Sequence, residues 1–534
     1  MKMNTVCAAA VVGLMTAFGP VSVSQAETPP DMAVIAWHLD ELITLDPAEA
    51  YEFAGAEVVA NIYDRLVYYD IDNTDDIKGG IAESWTISED GRTFTFTIRD
   101  GVMFHSGNPV TAEDAAWSLQ RVVKLNKGPA FILGEFGLTP ENVEEKVRAT
   151  DARTLVFETD KRYAPSFVLN CLGSWVSSVL DSKTVMAHAE DGDMGNGWLK
   201  TNAAGSGPFK LGAWRPNEVV LLDRFDDYYR GAPNMKRVAL RHVPESGPQR
   251  LMLEKGDADI ARNLGPEDIA ALEDNPDISI RRIRQGAVTY LGLNQKNPDL
   301  AKPEVREALK WLVDYDGIER NILQGTKVTH QTFLPAGFLG AIEDTPYSLD
   351  LDKARALLAE AGLEDGFSVT MDTRNTFPIA DVAQALQATW AQVGIDLEIL
   401  PGDNKQTLTK YRARQHDIYI GYWAPDYLDP HGNASGFAWN PDNSDDSPYR
   451  LLAWRNAWDI PEYTARTEAA LAENDQATRR QMYEDLQRDF LKDSPFVIMF
   501  QNISVVAERE GVSGFEVGPN FDVVYYRNIT KAAD

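Results

Sequence analysis

The 534-residue chain carries 51 Lys and Arg against 81 Asp and Glu, a net charge of −30, with 44% hydrophobic and 25% charged residues. That composition is globular and excludes a disordered, collagenous or coiled-coil chain, and the length allows about three folding units. The charge argues against a nucleic-acid partner or an anionic lipid surface, because both need basic residues, and it favours a soluble monomer.

The first 26 residues read as a cleaved signal peptide. Lys2 supplies the positive start, residues 6–18 are apolar but too short to span a bilayer, and Ser24-Gln25-Ala26 is a small-x-small cleavage site, with cleavage expected after Ala26. Cys7 lies inside the apolar run, so the mature chain keeps only Cys171 and forms no internal disulfide. Cys171 sits in the apolar stretch 167–172 and reads as a small core residue. No later apolar run reaches the length of a membrane-spanning helix.

Residues 93–98 alternate Thr with Phe, Phe and Ile, the pattern of a half-buried strand, and Asp100-Gly101 follows as a turn. Thr111-Ala112-Glu113-Asp114 resembles a capping box that opens a helix through Trp117 and Leu119. Gly205-Ser206-Gly207-Pro208 reads as a tight turn into the strand Phe209-Lys210-Leu211. Pro303 occupies a first helical position before Val305, Ala308, Leu309 and Leu312. Residues 353–361 form a helix with Asp352 as N-cap and Gly362 as its stop. Strand 367–372, helix 379–393 ending near Gly394, and strand 395–400 make a βαβ unit, which implies parallel strands and a right-handed crossover. Two further helices, 461–473 and 478–491, precede a strand through Val505 and Val506. There is no internal repeat and no low-complexity linker, so domain boundaries are expected at chain crossings. The fold class is α/β.

Catalytic signatures are missing. The chain has no G-x-S-x-G, H-E-x-x-H or C-x-x-C, and Gly205-Ser206-Gly207 lacks the third glycine of a dinucleotide fingerprint. The seven histidines do not pair at metal-ligand spacing; His431, near Asp426 and Asp429, makes the only cluster worth naming. Asp191/Asp193 and Asp257/Asp259 read as solvated loop carboxylates, too few for calcium. No enzyme activity, metal or cofactor is expected.

Leu45-Asp46-Pro47 is followed by Asn61-Ile62-Tyr63-Asp64-Arg65-Leu66-Val67, Ala82-Glu83-Ser84-Trp85 and Asp90-Gly91-Arg92-Thr93-Phe94-Thr95-Phe96. Arg99-Asp100-Gly101-Val102-Met103-Phe104-His105-Ser106-Gly107, Gly205-Ser206-Gly207-Pro208-Phe209, Gly256-Asp257-Ala258-Asp259-Ile260 and Tyr290-Leu291-Gly292-Leu293-Asn294 come later in the chain. In this order and spacing the chain resembles the extracellular solute-binding proteins of family 5, the dipeptide- and oligopeptide-binding proteins of ABC importers. The resemblance implies a two-lobed periplasmic binding protein with an extra domain inserted in the first lobe. It closes on its ligand and is read in the closed state by a membrane permease. It places lobe I at 27–70, 200–285 and 505–534, the inserted domain II at 71–199 and lobe III at 286–504. The crossings fall near 285–294 and 496–506, both apolar and extended as hinge strands should be.

A free peptide presents an ammonium and a carboxylate, and burying both calls for one acid and one base. By the resemblance, Asp426 in Gly421-Tyr422-Trp423-Ala424-Pro425-Asp426 is the ammonium partner; the alternative is that Asp426 only shapes a turn beside Pro425. Asp429-Pro430 is expected to hold the loop. By the same resemblance Arg374, at the carboxyl end of the first strand of the βαβ unit, is the carboxylate partner, unless Asp372 pairs with it instead. Trp423, Tyr427 and Trp439 are aromatic candidates for the pocket, and Tyr51, Glu52 and Phe53 mark the first-lobe side. The family also includes binders of nickel complexes, haem, oligosaccharides, opines and glutathione, so an oligosaccharide, opine, glutathione or chelate remains an alternative ligand. A secreted hydrolase and a periplasmic chaperone are the readings from other classes.

Overall fold

The computed structural model describes residues 28–71 and 76–532. The expected signal peptide and its cleavage site lie outside the described residues. One sheet organises most of the chain. At its centre, strands Ile278–Leu293 and Phe496–Arg509 lie antiparallel. At about 3.3 Å per residue, the 16 and 14 residues of this pair are long enough to run through both halves of the molecule.

On one side Phe496–Arg509 meets Ile260–Ala261, followed by Met32–Trp37, Arg237–His242, Val219–Arg224 and Phe209–Arg215. On the other side Ile278–Leu293 meets Ile418–Trp423, then Ser368–Arg374 and Asp396–Gly402. Burial along Ile278–Leu293 changes accordingly: its first half is alternately exposed, and its last eight residues are buried on both faces. The ladder slips between Arg284 and Val288, where three residues face one. Such a bulge bends and twists a strand pair. Here it falls between the apolar cores: one gathers residues 33–260 with 506–529 and takes in Tyr427 and Leu471 from the other half, and two others gather residues within 288–500.

The βαβ unit is as expected. Ser368–Arg374 and Asp396–Gly402 pair in parallel, from Ser368↔Asp396 to Arg374↔Gly402, and helix Ile379–Trp390 connects them. Gly394, at φ +85°, adopts the left-handed conformation that closes the helical end. A separate antiparallel sheet contains Ala82–Ile87, Thr93–Ile98, Thr154–Glu158 and Val147–Asp151. Phe94, Phe96 and Ile98 point into its core while the threonines stay half-buried. The capping box on helix Ala112–Leu125 is complete: the Thr111 hydroxyl accepts from the Asp114 amide at 3.3 Å, and the Asp114 carboxylate accepts from the Thr111 amide at 3.1 Å. Cys171 is fully buried in helix Pro165–Leu172.

Two local expectations are corrected and one is refined. Helix Leu351–Glu360 is capped by Asp350, whose carboxylate accepts from the Lys353 amide at 2.9 Å, so Asp352 lies inside the first turn. Residues 207–208 bend into strand Phe209–Arg215 as expected, but the glycines are needed for packing: a Cβ at Gly205 or Gly207 would sit 2.2 or 2.6 Å from the Ile62 carbonyl oxygen, closer than any side chain tolerates. Asp259 is buried rather than solvated, and it accepts from the Val34 amide at 2.7 Å and pairs with Lys531 at 2.9 Å. A buried carboxylate needs such partners.

Candidate functional site

Strand Ile418–Trp423 delivers Ala424-Pro425-Asp426 to the bulge. Pro425 packs so closely on Gly286 that a Cβ there would come within 3.0 Å of the proline ring. Three residues on, Asp429 caps helix Pro430–Ala438 by accepting from the His431 amide at 2.9 Å, and proline at the first turn presets the helical φ. The Asp429 carboxylate also takes both Arg479 nitrogens, at 2.7 and 2.8 Å, and the Asn170 amide at 3.0 Å. All its acceptor capacity is used, so Asp429 holds the loop in shape.

Asp426 is different. Among the described residues it has no basic partner, and its one side-chain contact is the Tyr51 hydroxyl, which donates to Oδ1 at 2.8 Å. Tyr51 comes from the start of the chain, so this bond joins the two halves of the molecule. Burial pushes the Asp426 carboxyl up to about 6, against the hydrogen bond from Tyr51. Next in the chain, the Tyr427 hydroxyl donates to Glu135 at 3.1 Å, another contact between halves. Burial, reinforced by the charges of Asp426 and Asp429, pushes Glu135 up to about 8.

A cavity of about 1,000 Å³ opens beside this loop. Its floor is the bulge, Gln285 to Ala287 with Asn502 to Val505. Its walls include Trp37, Phe53 and Arg262 on one side and Lys327, Phe377 and Ala424 on the other. Arg262 is occupied by Glu57 and stacks over Trp37 at 4.7 Å. Another cavity, about 220 Å³ around Asp64, Tyr228 and Arg230, draws only on residues 60–80, 208–230 and 516–528. The larger cavity lies across the two long strands and is lined from both halves of the molecule.

The expected site residues separate under this geometry. Phe53, 46% exposed, lines the cleft and stacks on Phe521 at 4.6 Å. Tyr51 and Asp426 meet near its lining residues Phe53 and Ala424, Glu52 stands at the N-cap of helix Phe53–Ile62, and none of these three, nor Arg374, lines the cavity itself. Arg374 lies over the Tyr422 ring at 4.7 Å and makes no ion pair among the described residues. Asp372 pairs with Lys410 at 2.8 Å, which removes the alternative partner for Arg374. Trp423 is half-buried against Phe437 and Gly436. Tyr427 is buried with its hydroxyl engaged, and Trp439 donates to Glu468 at 3.1 Å within its own half, so neither faces the cleft. His431 is buried against Phe167, and among the described residues no group of three His, Cys, Asp or Glu could hold a metal ion. Glu135 and Lys327 had no local signal in the sequence; only the fold brings them to the interface and the cleft.

A sheet threaded through two halves, with a large cleft at its bend, is the architecture of a two-lobed binding protein. Residues 76–445 match the bacterial extracellular solute-binding proteins, family 5 Middle, and the chain belongs to that family. It is 30% identical, over 95% of each chain, to the probable D,D-dipeptide-binding periplasmic protein DdpA of Escherichia coli. It is 27% identical to the dipeptide-binding protein of the same organism, over 86% of this chain and 87% of that one. Among solved structures, HbpA2 of Haemophilus parasuis superposes with a TM-score of 0.81 at 22% identity, covering 94% of this chain and 99% of that one. The Helicobacter pylori DppA, in complex with the peptide STSA, gives 0.74 at 24% identity, covering 94% and 98%. The family is one of binding proteins rather than enzymes.

Proposed function

We propose that this protein is exported to the periplasm, captures a short peptide or peptide-like amino-acid conjugate between its lobes, and delivers it to an ABC permease. The observation that carries this reading is Asp426, a half-buried carboxylate without a basic partner among the described residues, which joins the two halves through Tyr51. An α-ammonium would supply the missing charge, and Arg374, which has no ion-pair partner among the described residues, would take the α-carboxylate. The dipeptide-binding names of the relatives agree with a ligand of this kind. Lobe boundaries follow the crossings, with lobe I at 27–70, 200–285 and 505–534, the inserted domain at 71–199 and lobe III at 286–504. The protein acts as a monomer. Ligand touches both lobes only when they are closed, so binding shifts the population toward the closed form that the permease reads.

A thermal-shift screen of the mature protein against di- and tripeptides, glutathione, opines and di- to tetrasaccharides tests this. Binding to the native state raises the melting temperature by an amount set by RT ln(1 + [L]/Kd). Stabilisation by peptides that disappears when the amino terminus is acetylated supports the reading. Stabilisation by sugars alone would sink it.

A further inference from the structure

Lys327 lies on the short strand Lys327–Thr329, which pairs with the second crossing strand at the bulge, with Lys327 opposite Asn502. Both residues line the cleft. The Lys327 ammonium has three donors, and the Asn502 side-chain oxygen takes one. No carboxylate lies within ion-pair distance of it among the described residues. The other basic residues of the cleft wall are engaged: Arg262 by Glu57, and His38 by Asp40 at 2.6 Å. The acids Glu41 and Glu245 lie at exposed positions on the opposite wall. An ammonium turned toward a cavity, half-buried and short of acceptors, is unfavourable unless something fills the cavity and supplies them. Burial accordingly lowers its titration to about 8, with no neighbouring charge to oppose the shift.

We propose that Lys327 holds an anionic group of the bound solute, additional to the α-carboxylate, at the hinge end of the cleft. This rests on the peptide-like reading above and narrows it to acidic ligands, such as peptides with a Glu or Asp side chain or amino-acid conjugates with a second carboxylate. The contact would also tie ligand charge to lobe closure, because Lys327 is paired to the strand that bends.

The test uses the mature protein and isosteric peptide pairs, Ala-Glu with Ala-Gln and Ala-Ala-Asp with Ala-Ala-Asn, measured by calorimetry on wild type, Lys327→Met and Lys327→Arg. The expected result is at least tenfold tighter binding of the acidic member by wild type. Lys327→Met abolishes that preference, and Lys327→Arg restores part of it. Circular dichroism melting checks that each variant folds, and Lys327→Gln substitutes if Lys327→Met does not. Peptide binding with no acidic preference, or a preference that survives in Lys327→Met, overturns the assignment and leaves the peptide reading standing. If no peptide binds but an anionic opine or glutathione does, and Lys327→Met weakens it tenfold, the assignment stands and the simple-peptide reading falls. Binding of neutral solutes alone overturns both.

Discussion

At the scale of single residues, Asp426 and Asp429 show how environment divides two acids three positions apart. Asp429 is saturated by Arg479, Asn170 and the His431 amide, and these partners hold its carboxyl below the usual range despite burial. Asp426 has one phenol, and burial raises it to about 6. Asp426→Ala should leave the melting temperature nearly unchanged and weaken a ligand ammonium by about 2–5 kcal/mol, the scale for truncating one side of a buried charge pair; calorimetry reads both. The pH dependence follows from the same shift. Below about 6 the carboxyl is protonated and loses its attraction for a cation, so affinity falls as pH drops through that value. The folded pKa lies above the unfolded one, so the native state holds the extra proton between about 4 and 6. The apo protein therefore loses stability from this group as pH rises through that window, opposite in sign to the binding effect. Asp426→Asn should flatten both profiles, and a profile that keeps its slope near pH 6 in that variant would assign the titration elsewhere.

At the scale of elements, the loop 424–429 is held by a buried ion pair at one end and by the bulge at the other. Asp429 and Arg479 are 0% and 1% exposed, so Asp429→Ala strands a buried guanidinium and should destabilise by about 3–5 kcal/mol in a urea melt. Gly205→Ala forces a methyl group toward the Ile62 carbonyl, 2.2 Å from its built position, and should destabilise by about 1–3 kcal/mol through backbone displacement. Most elements were readable from sequence because their determinants are local. The alternation at 93–98, the capping box at Thr111 and the βαβ unit at 368–402 each depend on residues within a turn or two. Errors arose where two local choices competed, as with Asp350 and Asp352, or where a distant partner decided the role. At glycines 205 and 207 the turn was legible and the packing need was not, because the Ile62 carbonyl lies more than 140 positions away.

At the scale of the molecule, the proposed closure would bend the two long strands at their bulge. Small-angle scattering should show a smaller radius of gyration on ligand binding, and an unchanged radius would argue for a rigid cleft. The contacts at Tyr51–Asp426, Tyr427–Glu135 and Asn170–Asp429 already join the lobes. Tyr51→Phe should therefore shift the unliganded population toward open forms with larger radii. The α/β class, the order of most elements and the family were legible in the sequence, because periodicity, caps and spaced motifs are written in neighbouring residues. Which side chains share the cleft, and what surrounds their charges there, follows from strand pairing and packing across the whole chain. Phe53, Arg262, Lys327, Ala424 and Asn502 are far apart in the chain, and strand pairing brings them together. Whether Tyr427 lines a pocket or braces an interface, and whether Asp259 is solvated or buried, depends on what the rest of the chain packs against them, since burial and partner geometry are not properties of a residue or its neighbours.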